Sequence, residues 1–143
     1  MFVLQENLID PIKLKNIHNP STGAVVVFEG VVRADPHKNA VVSELLYTAD
    51  VKACNEEGAK IVAEALSQFK ITEAICVQRT GQLKVGEIAV WIGVWAGHRD
   101  EAFKGCRYII EEVKKRLLIW KKEFMTDGTS AWIQGTQTPL NLK

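Results

Sequence analysis

The chain has 143 residues and a formal charge of +1, with 47% of its residues apolar and 24% charged. A chain of this length buries roughly two thirds of its unfolded surface, enough for one domain spanning 1–143 with a real core, and so small a net charge gives little long-range steering toward nucleic acid or an anionic membrane. No apolar run reaches the ~18 residues of a membrane span, and the N-terminus MFVLQENLIDP lacks the basic start and small-residue cleavage site of a signal peptide, so the expectation is a cytoplasmic protein.

Phe2–Gln5 reads as a short first strand. Asp10-Pro11 sets an N-cap before a proline at the first helical position, which predicts a short helix over 10–18. The run GAVVVFEGVVR at 23–33 is β-branched and apolar and reads as a buried strand. Gly30 inside it predicts a bulge or a close approach by another group. The polar loop ADPHKNA follows, with His37 exposed in it, and Ala40–Tyr47 is a second strand. Between Asp50 and Phe69 the apolar residues recur at helical spacing on one face. Ile71–Arg79 reads as a strand, Thr80–Lys84 as a turn, and Val85–Ala96 as a long strand buried on both faces. Trp91 and Trp95 lie on one of those faces; Val90, Ile92 and Val94 lie on the other.

The next stretch, 98–118, is an amphipathic helix with Ala102, Cys106, Ile109, Val113 and Leu117 in phase. A strand is expected over Ile119–Met125. Asp127-Gly128 is a turn, and Ser130–Gln134 pairs back as a hairpin. The tail over about 135–143 is polar and expected to be mobile unless a partner orders it. The order β α β β α β β α β β places strands next to strands. It predicts an α+β fold with a mainly antiparallel sheet and packed helices.

Cys54, Cys76 and Cys106 form no CxxC pair, so neither a zinc site nor a dithiol is expected, and no other metal or cofactor. Cys76 and Cys106 fall on apolar faces and are expected to be buried; Cys54 is expected to be exposed. The chain carries no G-x-S-x-G, HExxH, Walker A or GxGxxG motif.

Basic residues carry the chemistry instead. Eight of the 18 Lys and Arg lie between Arg99 and Lys122, against four acids. His98-Arg99 stands at a helix start, where exposed N–H groups and partial positive charge favour an anion; a capped surface helix with two incidental basics is the plain alternative. Lys114 and Lys121 straddle a helix-to-strand junction. A lysine near another cation and partly desolvated takes a depressed pKa and can act as acid, base or amine; a solvated basic helix end is the plain reading. Arg33 ends a strand beside a glycine, where a scaffold can present a side chain to a ligand.

Three segments together resemble a known family: GAVVVFEGVVR at 23–33, RTGQLKVGEIAVWIGVWAGHRDEAF at 79–103, and KKRLLIWKKE at 114–123. The resemblance is to the large, catalytic subunits of molybdopterin synthase, the MoaE family, over roughly residues 20–134. It implies an α/β-hammerhead-like fold and a homodimer. A small ubiquitin-like sulfur-carrier subunit docks at each end, making a heterotetramer. That subunit's Gly-Gly thiocarboxylate gives up sulfur to cyclic pyranopterin monophosphate, which makes the molybdopterin dithiolene, so the family is a sulfurtransferase of molybdenum cofactor biosynthesis. In such proteins the positions of Lys114 and Lys121 are catalytic. Those of Arg33, His98, Arg99 and Lys122 hold substrate, with phosphate contacts made across the dimer, and Phe28 and Gly30 lie at the pocket. The chain departs from the family pattern at Gln78, where His is usual, and at Leu118, where Pro is. It also has Thr48 in place of an acid, and Gly135-Thr136 where some members carry an Arg. A homologue weakened in catalysis but still docking its partner is one alternative. A non-enzymatic anion-binding module is another.

Overall fold

The computed structural model describes residues 1–133. Its elements are β1 (Phe2–Gln5), α1 (Pro11–Leu14), β2 (Ala24–Val31), β3 (Pro36–His37), β4 (Ala40–Ala49), α2 (Val51–Gln68), β5 (Ile71–Arg79), β6 (Gly81–Lys84), β7 (Ile88–Ala96), α3 (Arg99–Arg116), β8 (Ile119–Met125) and β9 (Ser130–Ile133). Gln134 and the tail over about 135–143, with Gly135 and Thr136, lie outside the described residues.

The run IAVWIGVWA is too apolar to face water on either side, and β7 accordingly lies inside a four-stranded sheet of order β1-β5-β7-β2. One face packs on α2 and α3: Cys76, Val90, Ile92 and Val94 meet Ile61, Val62, Ile109 and Val113. The other face turns Ile75, Val77, Trp91 and Trp95 toward Ile9 and the segment around α1. Only β1 runs parallel to its neighbour; β2 and β5 pair antiparallel with β7.

The second sheet has the order β3-β4-β8-β9, with β6 also paired to β4. A small core of Val32, Val42, Leu45, Leu83 and Ala89 fills its inner side. The chain crosses from one sheet to the other almost without a loop, since β5 ends at Arg79 and β6 begins at Gly81. The result is the mainly antiparallel α+β arrangement that the element order implies.

Several boundaries differ from those the pattern predicts. The first helix is a single turn, Pro11–Leu14; Asp10 does cap it, accepting from the Ile12 and Lys13 amides. Within the expected turn Thr80–Lys84, Gly81–Lys84 is a strand, β6, because it finds an open edge of β4. The run from Val85 to Ala96 is interrupted by Gly86 at φ +92°, and β7 starts only at Ile88. β2 is an edge strand instead of a buried one, and Val25, Val27, Phe28 and Val31 are exposed along it. A two-residue pairing, β3, arises inside the expected polar loop. Cys54 is fully buried, because it sits on the inner face of α2 and its Sγ donates to Leu118 O at 3.3 Å. The bulge expected at Gly30 is present as a register shift between Gly30 and Val31.

Candidate active site

Helix α3 ends without proline or glycine. Leu117 turns extended at φ −75° and ψ 131°, and its buried side chain anchors the turn in the core. The chain then runs straight into β8. This junction is held from the side by α2, whose N-terminal Asp50 N–H and Cys54 thiol both donate to Leu118 O. Lys114 and Lys121, one on either side of the junction, are thereby fixed to rigid elements.

A pocket of about 510 Å³ opens at this place. Its floor is a row of three residues in register across the first sheet: Gly30 on β2, Val90 on β7 and Gln78 on β5. Gly30 keeps the floor open. A Cβ there would lie 2.7 Å from Val90 Cγ1, closer than real Cβ contacts allow. The wall comes from the second sheet, where Tyr47 pairs with Lys121 and Leu45 with Glu123. Side chains two apart on a strand share a face, so Lys121 and Glu123 both look into the pocket. Lys114 and Leu117 close it from the end of α3, and Arg33 and Asp35 stand at the mouth.

The charges are unevenly matched. Arg33 pairs with Asp35 at 3.1 Å, and Glu123 lies 3.3 Å from His37. Among the described residues neither Lys114 nor Lys121 has a carboxylate within ion-pair distance. Lys114 is open to solvent on its outer side. Desolvation by the pocket walls nevertheless holds its ammonium below the ordinary lysine value, and the positive charge of Lys121 lowers it further. Tyr47 is pushed the other way: burial raises its phenol, which remains protonated and able to donate. The thiols are not poised for chemistry. Burial drives Cys76 up to about 12 and Cys106 up to about 11, and raises Cys54 as well.

Not every residue singled out from the sequence joins this pocket. Lys114, Lys121, Arg33 and Gly30 line it. Phe28 lies beside it, with its ring 3.5 Å from where a Gly30 Cβ would stand. Lys122 points to the opposite face of β8, with its ammonium 5.4 Å from the Phe124 ring and 5.8 Å from the Trp132 ring; alternation along the strand requires this once Lys121 faces inward. His98 and Arg99 are exposed at the far end of α3, in a shallow depression shared with Asp100 and Phe103. His98 is the helix N-cap but makes no side-chain capping bond. The remaining basics of the helix are occupied: Lys104 with Asp100, Arg107 with Glu111, Lys115 with Glu112, and Arg116 with Glu57, Glu64 and Glu112. Tyr47 and Glu123 also line the pocket, and no sequence motif marks Tyr47. Glu123 was recoverable from its spacing of two from Lys121.

The chain is thus an α+β protein of two joined sheets, with a lysine-bearing pocket where its last helix becomes a strand. The model of the MoaE protein family matches residues 4–116. A molybdopterin synthase catalytic subunit from Pyrococcus abyssi is 41% identical over 119 residues, 83% of this chain and 79% of that one. Another from Thermoplasma volcanium is 35% identical over 130 residues, 90% of this chain and 94% of that one. The crystal structure of molybdopterin synthase from Staphylococcus aureus superposes with a TM-score of 0.85 at 33% identity, covering 92% of this chain and 96% of that chain. The chain belongs to the MoaE family, that of the molybdopterin synthase catalytic subunits.

Proposed function

We propose that this chain moves sulfur from the thiocarboxylated C-terminus of a small ubiquitin-like subunit onto cyclic pyranopterin monophosphate, building the dithiolene of molybdopterin. The observation that carries this reading is the pair Lys114 and Lys121, unmatched by carboxylates at one pocket, with the first held below its usual pKa by burial and by the second. Once the carrier's sulfur has bonded to the pterin, releasing it means breaking the acyl C–S bond with water. Negative charge gathers on the carbonyl oxygen as water adds. A lysine ammonium stabilises that oxygen, and a lysine in its amine form takes the proton from water. The carrier leaves as a carboxylate and the sulfur stays on the pterin, so no protein thiol is required; the raised cysteines agree with that.

The substrate's phosphate needs a cation and N–H donors, and Arg99 and His98 stand where a helix N-terminus offers both. They stand at the other end of the 18-residue helix that carries Lys114, His98 as its N-cap and Arg99 as its first residue. A second copy of the chain would bring that end to the pocket, so the working unit is a homodimer, with one small subunit bound at each pocket to give a heterotetramer. The test is direct: combine the protein with thiocarboxylated small subunit and cyclic pyranopterin monophosphate, and detect the dithiolene product by mass. Lys114→Ala and Lys121→Ala should each lower its formation by ~100-fold or more with melting temperature retained. Wild-type turnover in both variants refutes the role given to the lysines. Partner binding without any product in the wild type points to a homologue that docks but does not catalyse.

A further inference from the structure

Gln78 is only 6% exposed, and a buried amide needs partners at both of its ends. Its Nε2 donates to Arg79 O at 3.1 Å and to Ala89 O at 3.2 Å. Both partners are main-chain carbonyl oxygens, which accept and cannot donate. The orientation of the amide follows from chemistry alone: nitrogen faces the carbonyls and Oε1 faces away from them. Among the described residues no group donates to Oε1. It is not sealed off either, because Trp91 Nε1 is the sole buried, unpartnered side-chain nitrogen or oxygen among those residues. Gln78 lines the pocket in the same row as Gly30 and Val90. Oε1 is therefore an acceptor without a protein donor, on a side chain that lines the pocket and is held by two hydrogen bonds.

The other side chains around it do different work. Lys114 and Lys121 are cations, and Tyr47 is a protonated phenol. The acceptors Asp35 and Glu123 are engaged by Arg33 and His37. A fixed, neutral acceptor set apart from the cations suits a neutral N–H donor on the ligand, not its phosphate. We propose that Gln78 Oε1 reads an N–H on the ring of the bound substrate and sets the pocket's preference for an amino- or amide-bearing nitrogen heterocycle over other phosphates. This rests on the pterin reading of the same pocket and assigns a substrate contact to a residue which that reading leaves without a role.

Two variants separate this role from a structural one. Gln78→Met keeps the volume and loses the acceptor. Gln78→His keeps one nitrogen to donate to a carbonyl and one to accept from the ligand while the ring is neutral. Binding of cyclic pyranopterin monophosphate and of ribose 5-phosphate is measured calorimetrically for each, beside thermal melts. Gln78→Met should bind the pterin roughly 10-fold more weakly, the effect of one lost hydrogen bond, and ribose 5-phosphate as wild type does. Gln78→His should hold the pterin at pH 8 and lose it, relative to wild type, as pH falls through about 6.5 and the acceptor nitrogen is protonated. Equal loss of both ligands in Gln78→Met, or pterin binding unchanged in it, overturns the proposal, as does a Gln78→His variant with no added pH dependence. A folded wild type that binds ribose 5-phosphate but not the pterin overturns the pterin reading itself, and this inference with it.

Discussion

Lys114 owes its character to position. It closes a helix, so one side of the chain is packed, and desolvation followed by the charge of Lys121 lowers its pKa. A lowered pKa means that the neutral amine appears at lower pH than the ~10.4 of a free lysine. Turnover that uses this amine should rise with pH through an inflection below that value. Lys121→Met removes the neighbouring cation, so the inflection in its residual activity should move toward higher pH, and a pH–rate profile reads it. An inflection that stays in place shows that the two lysines do not interact. Gly30 is the second residue whose role is spatial. Gly30→Ala places a methyl 2.7 Å from Val90 Cγ1, and Val90 must shift within a packed core. Overpacking of this kind costs about 1–3 kcal/mol, which a denaturant midpoint will show, with pterin affinity falling in parallel because Val90 is part of the floor.

The elements were legible where one sequence period decided them and obscure where pairing did. Helix α3 has a clean apolar stripe, and Ala102, Cys106, Ile109 and Val113 are all buried as the stripe requires. The strand β8 keeps its predicted bounds, and the helix-to-strand switch between Lys114 and Lys121 was readable from β-branched Ile119. By contrast, GQLK has no strand signal of its own and becomes β6 only through the open edge of β4, a non-local partner. The opposite error at β2 has the same origin, since an apolar run does not announce that it will lie at an edge. Hidden for a similar reason was the clamp between α2 and α3. Arg116 contacts Glu57 at 3.0 Å, Glu64 at 2.6 Å and Glu112 at 3.3 Å, and two of these acids come from the other helix. Arg116, with the Tyr108 hydroxyl, draws the Glu64 carboxyl down from 4.5 to about 2. A depressed carboxylate pKa contributes stability above its unfolded value and loses it as pH falls through the folded one. The melting-temperature advantage of wild type over Glu64→Gln should therefore be full above pH ~4.5 and shrink toward nothing near pH 2. A constant difference across that range would show that the ion pair does not tie the helices together.

The whole molecule poses a question of distance. Arg99 and Lys114 are 15 positions apart on one continuous helix, about 22 Å at 1.5 Å per residue. Lys114 lines the pocket, whereas Arg99 lines a separate depression, so on the proposed reading a site drawing on both takes one from each of two chains. Two-fold symmetry then makes the contribution reciprocal. This has a consequence that single-variant kinetics do not test. On the proposed function, a chain with His98→Ala and Arg99→Ala retains its lysines but loses the phosphate contacts. A chain with Lys114→Ala supplies those contacts but has lost its own chemistry. Each variant alone should be nearly inactive. Unfolded together and refolded in equal amounts, they should form hybrids in about half of the dimers, each with one of its two pockets complete, so activity should return to roughly a quarter of wild type. The dimer state is followed by light scattering in the same samples. Recovery to that level places the two ends of α3 in one shared site. No recovery from dimers that have demonstrably mixed assigns the phosphate contacts to residues of the pocket's own chain, with Arg33 at its mouth the first candidate.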